Sequence, residues 1–251
     1  MGVIVFFILV LITIGMYFLF SYMHGLAMSH HLSKETIKLP GKFGETNVLF
    51  ITDIHFRTLD ESLFTPYSTK IDMVWIGGDL VEKKVKKEAL EHNLNVLSSL
   101  GPVYFVFGNN DYEWPESAFA ELLDKYDVTV LHNRSIIFHR CWTLAGVDDF
   151  TNGEPDINKA LSRTVGPTIV LSHNPEIAHD LGEYTDVHYI FSGHTHGGQI
   201  RLGPFGIAEK SGWAVKSNKR VFISSGFGTT QFPLRLGTKA EWHLITIKGD
   251  R

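Results

Sequence analysis

Ile190-Phe191-Ser192-Gly193-His194-Thr195-His196-Gly197-Gly198-Gln199-Ile200 closes a strand and opens a turn. The apolar run Val187–Phe191 leads to two histidines one residue apart, with glycine on either side. In a strand, alternate side chains share a face, so His194 and His196 would point the same way. Just past a strand end, glycine lets the backbone bend and aim the two rings at separate targets. That suits imidazoles bound to one metal ion or to two adjacent ones. An H-x-H pair in a loop is equally at home on a solvated surface, so its weight depends on company elsewhere in the chain.

The same punctuation recurs upstream. Val48-Leu49-Phe50-Ile51 is a short continuous apolar run, as in a strand buried on both faces, and it delivers Thr52-Asp53-Ile54-His55. Met73–Ile76 ends in Gly77-Gly78-Asp79, Val103–Phe107 in Gly108-Asn109-Asn110-Asp111, and Thr168–Leu171 in Ser172-His173-Asn174-Pro175. Each residue alone has a plain structural reading. An Asp after a strand caps a helix or forms an Asx turn, Asn109 holds a left-handed backbone, and His173 caps the helix after it. Five such strand ends in series are hard to obtain by chance, and open α/β sheets bind ligands beyond their strand C-termini.

Helical stretches separate the strands. Leu90, Leu94 and Leu97 set a helix over Glu82–Leu100, stopped by Gly101-Pro102. Pro115 opens another that buries Phe119, Leu122 and Leu123, and Pro175 a third with Ile177, Ala178 and Leu181. Val128–Leu131, Ile136–Phe138 and Trp142–Ala145 read as short strands in a meander, succeeded further along by Val221–Ser224 and the alternating strand Trp242–Ile247. Ser33–Glu45 reads as a linker, Lys83, Lys84, Lys86 and Lys87 as a solvated face, and Asp148-Asp149 as an acidic turn within reach of a metal.

A chain of 251 residues, 44% hydrophobic and 20% charged, is neither disordered nor fibrous. Its net charge of −4 gives no electrostatic footprint for nucleic acid, so no nucleic-acid binding is expected. The single cysteine, Cys141, excludes an internal disulfide framework and thiolate zinc sites, leaving imidazole and carboxylate ligands suited to Mn, Fe, Zn or Mg. From Val3 to Phe20 only Thr13 and Gly15 interrupt the apolar run, and no formal charge precedes Lys34. At ~1.5 Å per residue the run reaches ~27 Å, close to the ~30 Å hydrocarbon thickness. Residues 1–32 therefore read as a transmembrane anchor with its juxtamembrane segment, and 33–251 as one catalytic domain. A secretory signal cleaved near Gly25-Leu26-Ala27 is the rival, although the run lacks a basic n-region. Lys34, Lys38 and Lys42 come after the span with nothing basic before it, which leans toward a cytoplasmic domain on a single-pass anchor. His24, His30 and His31 read as headgroup-level residues.

Asp53-Ile54-His55, Gly78-Asp79, Gly108-Asn109-Asn110-Asp111, His173 and Gly193-His194-Thr195-His196 together resemble the calcineurin-like metallophosphoesterase family, in order and in spread, from Leu49 to Gly198. Ser224–Thr230 with Pro233-Leu234-Arg235 is similar to its membrane-associated bacterial branch. The resemblance implies a four-layer α/β/β/α sandwich with a binuclear centre of two divalent ions (Mn, Fe, Zn or Co). It implies Asp53, His55 and His196 on one ion, Asn109, His173 and His194 on the other, and Asp79 bridging them. A carboxylate shared by two cations offsets their repulsion, and neutral imidazoles complete each shell without excess charge. Such a pair clamps a phosphoryl group and generates a hydroxide for in-line attack, so no side-chain nucleophile is required.

One position departs from the family. Where a His usually comes after the Asn ligand, this chain has Asn110, which can donate a hydrogen bond but is no general acid near neutral pH. The similar UDP-2,3-diacylglucosamine pyrophosphatases also replace that His, by Arg. The expected reaction is therefore hydrolysis of a phosphodiester or pyrophosphate bond with a good leaving group, in a phosphorylated small-molecule, nucleotide-containing or lipid-linked substrate at the membrane. Asn110 and Asp111 are the candidate catalytic residues, and Asn110 and Arg235 the candidate substrate contacts. A non-catalytic metal-binding scaffold of the same fold is the alternative. A mononuclear hydrolase lacks any H-E-x-x-H signature. Oligomeric state leaves no trace in the sequence.

Overall fold

The computed structural model describes residues 2–250; Met1 and Arg251, the outer limits of the two expected segments, lie outside the described residues. Helix α1 (Gly2–Ala27, 26 residues) is exposed almost throughout and buries only Met23 and Ala27 near its end. At ~1.5 Å per residue it extends roughly 39 Å. It is long and apolar enough to cross a membrane.

Beyond α1 the chain builds two six-stranded mixed sheets. One runs, in spatial order, β1 (His31–Pro40), β14 (Glu241–Asp250), β2 (Thr46–Ile51), β3 (Met73–Ile76), β4 (Val103–Phe105) and β5 (Val128–Val130). Its β2–β5 segment is parallel, and β14 pairs antiparallel with β2. The other runs β12 (Gly212–Lys216), β13 (Lys219–Ile223), β9 (Val187–Ser192), β8 (Thr168–Leu171), β7 (Trp142–Gly146) and β6 (Arg134–Phe138), parallel from β13 to β7. A small hairpin, β10 (Arg201–Leu202) and β11 (Phe205–Gly206), stands apart.

Three apolar clusters make the layers. Phe50, Trp75, Trp142, Leu144 and Phe191 fill the space between the sheets. Leu49, Val74 and Phe105 pack outward onto α2 (Lys87–Ser98) and α3 (Glu116–Lys125), through Leu90, Leu94, Phe119 and Leu122. Val170, Ile190 and Val221 pack onto α4 (Ile157–Leu161) and the turn at Pro175–Ala178. The result is an α/β/β/α sandwich.

The segment read as a linker is partly a strand. β1 lies parallel to β14, with Ile37 opposite Ile247. Ile37 and Leu39 are buried while Lys38 between them is exposed, the period-two pattern of a strand half covered by a core. Charges on its outer side, which suggest a linker, are what a sheet edge uses to avoid further pairing. Helix α2 also starts later than Glu82, because the segment from Glu82 to Lys86 forms a turn that carries Glu82 toward His55. Pro175 opens only a single turn of 3-10 helix.

Candidate metal centre

Five strand ends supply seven side chains. β2 leads to Asp53 and His55, β3 to Asp79, β4 to Asn109, β8 to His173, and β9 to His194 and His196, each at the C-terminal end of a parallel strand. Turn-to-turn hydrogen bonds lock them. The Asp53 N–H donates to Gly78 O (3.0 Å), the Gly193 N–H to His173 O (3.0 Å), and across the sheets the His194 N–H to Asp53 Oδ1 (3.2 Å). Asp53, His55, Asp79, His194 and His196 all have positive φ, between 49° and 67°. A left-handed backbone costs a non-glycine residue about 1–2 kcal/mol, and such strain persists where the surroundings over-determine it. Gly78 has no choice of residue: a Cβ there would come within 2.6 Å of His173 Nδ1.

The ligand atoms converge in two groups. Asp53, His55 and His196 form one, Asp53, Asp79 and His173 the other, each with its atoms within 4.8 Å of one another. Asp53 is common to both. Asp79 also faces both sides, its Oδ2 lying 3.2 Å from His173 Nε2 and 3.7 Å from His55 Nε2. His196 Nε2 lies 3.2 Å from His55 Nε2 and 3.4 Å from Asp53 Oδ1. Asn109 and His194 make an adjacent pair, Oδ1 to Nδ1 3.0 Å, with the His194 ring 5.1 Å from that of His173.

A hydrogen bond behind His173 and a carboxylate beside His55 fix which nitrogen faces inward. His173 Nδ1 donates to Gly77 O (2.9 Å), so Nε2 presents a lone pair, and this buried nitrogen has no hydrogen-bond partner. His55 Nδ1 lies 2.9 Å from Glu82 Oε2, which leaves its Nε2 as an acceptor as well. Acceptor nitrogens and the Asp53 and Asp79 carboxylates thus converge, in each group with their ligand atoms within 4.8 Å of one another, and this set fits divalent cations. Burial alone would raise Asp79, but the His173 and His55 imidazoles outweigh it and hold it below the usual carboxylate range. Burial alone would lower His173, but the Asp79 and Asp53 carboxylates outweigh it and raise it, a pull toward positive charge that a bound cation would satisfy in place of a proton. Burial lowers His196 to about 3. The pocket attracts positive charge yet resists a proton on His196.

The remaining expected site residues fall into three places. Asn110 belongs to the centre: its backbone N–H donates to Asp79 Oδ1 (2.8 Å) and its Nδ2 to Asp79 Oδ2 (2.6 Å). Asp111 lies buried behind it. Its carboxylate accepts from the N–H groups of Asp79 (2.8 Å), Val81 (3.0 Å) and Gly108 (2.8 Å), so it is a positioning residue that knots two ligand turns together. Burial, reinforced by the Asp79 charge, pushes its pKa up, against the N–H bonds it accepts from Gly108 and Val81. Arg235, expected at a substrate phosphate, is fully buried, and its guanidinium donates to the carbonyls of His196 (3.2 Å), Ser225, Gly226 (3.2 Å) and Gly228 (2.7 Å). It braces the loops behind His196. Asp149 caps the Thr151 and Asn152 N–H groups and forms the acidic turn. Glu82, which orients His55, escaped the sequence reading; its only signal was a carboxylate three residues after Asp79.

Comparison with known proteins agrees with this geometry. Residues 46–198, more than half of the chain, match the family model described as calcineurin-like phosphoesterase. The chain is 36% identical over 236 residues to the uncharacterized protein YpbG of Bacillus subtilis, covering 90% of this chain and 91% of that one. It is 32% identical to an uncharacterized metallophosphoesterase of Helicobacter pylori, over 78% of this chain and 58% of the relative. It is 29% identical to a "Transmembrane protein with metallophosphoesterase domain" of Danio rerio, over 84% of this chain and 55% of the relative. The chain thus spans little more than half the length of those last two. Among solved structures, a 5'-nucleotidase precursor from Thermus thermophilus superposes with a TM-score of 0.51 at 14% identity, covering 81% of this chain and 55% of that one. That similarity shows the fold alone.

Proposed function

The chain belongs to the calcineurin-like phosphoesterase family and is a metal-dependent phosphoesterase, and from that premise we propose that it cleaves phosphodiester or pyrophosphate bonds in a nucleotide-containing or lipid-linked substrate at a membrane. Asp53, His55 and His196 hold one divalent cation; Asn109, His173 and His194 hold the other; Asp79 lies between. When bound, the pair supplies Lewis acidity for the phosphoryl group and acidifies water at neutral pH. The chain's own groups do the rest. Asp79 and Asp53 set the negative field that retains the cations, and Glu82 keeps the His55 lone pair turned inward.

Asn110 is the observation that carries the substrate class. Its amide donates to Asp79 from the position where a general acid would stand, and an amide cannot protonate a departing oxygen. The reaction therefore depends on a leaving group stable as an anion, as in a pyrophosphate or an activated diester. Residues 1–32 act as anchor and juxtamembrane segment and 33–251 as the catalytic unit on its cytoplasmic side, a reading supported by α1 and by Lys34, Lys38 and Lys42 after it.

The test is hydrolysis by the full chain in detergent with Mn, Fe, Zn or Co, using aryl and alkyl phosphodiesters, nucleoside diphosphate esters and phosphomonoesters. A rate that rises steeply as the leaving group becomes more acidic is expected, with diesters and pyrophosphates ahead of monoesters. Equal turnover of an alkyl phosphomonoester would overturn the substrate assignment while leaving the family chemistry intact.

A further inference from the structure

The end of α1, the strap Thr230–Leu236 and the β10–β11 hairpin form one hydrogen-bonded unit. The Arg235 N–H donates to Met23 O (3.0 Å), and His24 Nδ1 lies 3.1 Å from Pro233 O. On the other side of the strap, Gln199 Nε2 donates to Thr230 O (3.1 Å) and the Arg201 N–H to Leu236 O (2.7 Å). Arg57, two residues past His55, closes the junction, its Nη1 donating to Ala27 O (3.0 Å), Ser29 O (3.1 Å) and Phe227 O (3.0 Å). A guanidinium on the last carbonyls of a helix satisfies acceptors that have no partner of their own and complements the helix dipole.

This unit exposes large apolar side chains. Leu202 is 71%, Phe205 77%, Ile207 92% and Phe232 67% accessible. The hairpin is not loose: the buried Arg201 guanidinium donates to Pro204 O and Ala208 O, both at 2.7 Å, and so holds the turn in shape. Leu202 and Phe205 are cross-strand partners in the hairpin, and large apolar side chains exposed together on a well-formed element mark a contact with lipid or protein. Beside it, where α1 leaves the domain, lies a cavity of about 570 Å³ lined by Met28, His30, Phe56, Arg57 and Pro233 among others. The strap that carries Phe232 is tied by direct hydrogen bonds to Met23 and His24, and the side chains just before them in α1, Phe20 and Tyr22, are themselves exposed. The exposed apolar side chains of the strap and hairpin therefore belong to a unit bonded directly to the end of the apolar helix α1.

We propose that Leu202, Phe205, Ile207 and Phe232 insert into the interfacial layer of the bilayer that α1 crosses, so that lipid is the partner of this face. The inference rests on the anchoring reading. Apolar side chains of this kind enter the headgroup–acyl boundary to a depth of about 5–10 Å. His196 lies three residues before Gln199, which bonds the strap, so the metal centre is held close to the membrane surface and meets substrate there.

The experiment uses the full chain carrying Cys141→Ser and one new cysteine, Phe205→Cys or Ile207→Cys, labelled with an environment-sensitive fluorophore. Val165→Cys serves as control, because Val165 is exposed and precedes β8, at the opposite end of that strand from His173. The proteins are reconstituted into phosphatidylcholine–phosphatidylglycerol vesicles with and without lipids spin-labelled near the headgroup. Quenching at least threefold stronger at 205 and 207 than at 165 is the expected result. Equal quenching in a chain that resists carbonate extraction overturns this proposal alone. A blue shift that tracks protein density and ignores the lipid quencher also overturns it, in favour of a protein contact. Release of the chain by carbonate fails the anchoring reading itself.

Discussion

Glu82 shows how a single carboxylate can set the chemistry of a ligand it does not replace. With its Oε2 2.9 Å from His55 Nδ1, it decides which imidazole nitrogen is protonated and raises the basicity of the other. Glu82→Gln removes the charge and keeps the shape. Metal affinity should fall by about 10–100-fold, measured by competition with a chelator, while turnover at saturating metal stays within about threefold of the parent. Asn110 makes the complementary case. Asn110→His restores a group able to protonate a leaving oxygen, a contribution of about 10²–10⁴-fold in general. The gain should appear with alkyl diesters and vanish with strongly activated aryl ones, so that the dependence of rate on leaving-group acidity flattens. An unchanged slope would show that leaving-group protonation is not what this position controls. The seven clustered side chains of the candidate centre could be picked out in the sequence because each comes after an apolar run, a pattern visible without knowing which strands adjoin. Glu82 and Arg235 could not, because their roles come from contacts with His55 and His196 across 27 and 39 positions of chain, and no local pattern encodes them.

At the scale of elements, α2 does more than cover the first sheet. Its buried Asn93 accepts from the Leu59 N–H (2.9 Å) and donates to Arg57 O (2.8 Å), pinning the loop that runs on from His55. A polar side chain on the apolar face of a helix reads as an irregularity in the sequence, and its purpose is visible only once the loop is seen against it. Asn93→Ala leaves a buried N–H unpaired, which costs about 1–3 kcal/mol, and a lowered thermal midpoint of the full chain in detergent should report it. Affinity for metal should fall as well, since the loop carries the turn between His55 and Arg57. The strands were legible where they are buried on both faces, as in β2, β3 and β8, whose uninterrupted apolar runs admit few other readings. β1 was not, because half of its residues face solvent at the sheet margin and its pairing partner, β14, lies some two hundred residues away.

For the molecule as a whole, the two sheets meet over a largely apolar core that carries a buried histidine. His243 on β14 is fully buried, stacked on Phe50 at 5.6 Å and edge-on to Phe222 at 4.9 Å, and its Nε2 reaches Ser224 Oγ at 2.8 Å. It lies against neither ligand group, so its protonation reports on the sandwich rather than on the metal centre. Burial lowers it from 6.5 to about 4, against a smaller opposing pull from Glu241. The folded state therefore holds the neutral ring while the unfolded chain takes up a proton below pH 6.5. Stability from this residue is complete above that pH and is lost as pH falls toward 4. At about 1.4 kcal/mol per unit the full loss is roughly 3 kcal/mol, of which about 2 kcal/mol is reached by pH 5. His243→Leu should flatten the dependence of unfolding free energy on pH between 7 and 5 by about that amount, whatever it does to stability at pH 7. Denaturant unfolding of the full chain in detergent at the two pH values gives the difference directly. A variant whose stability falls with acid as steeply as the parent's would place the acid sensitivity elsewhere, in the buried imidazoles of the ligand turns.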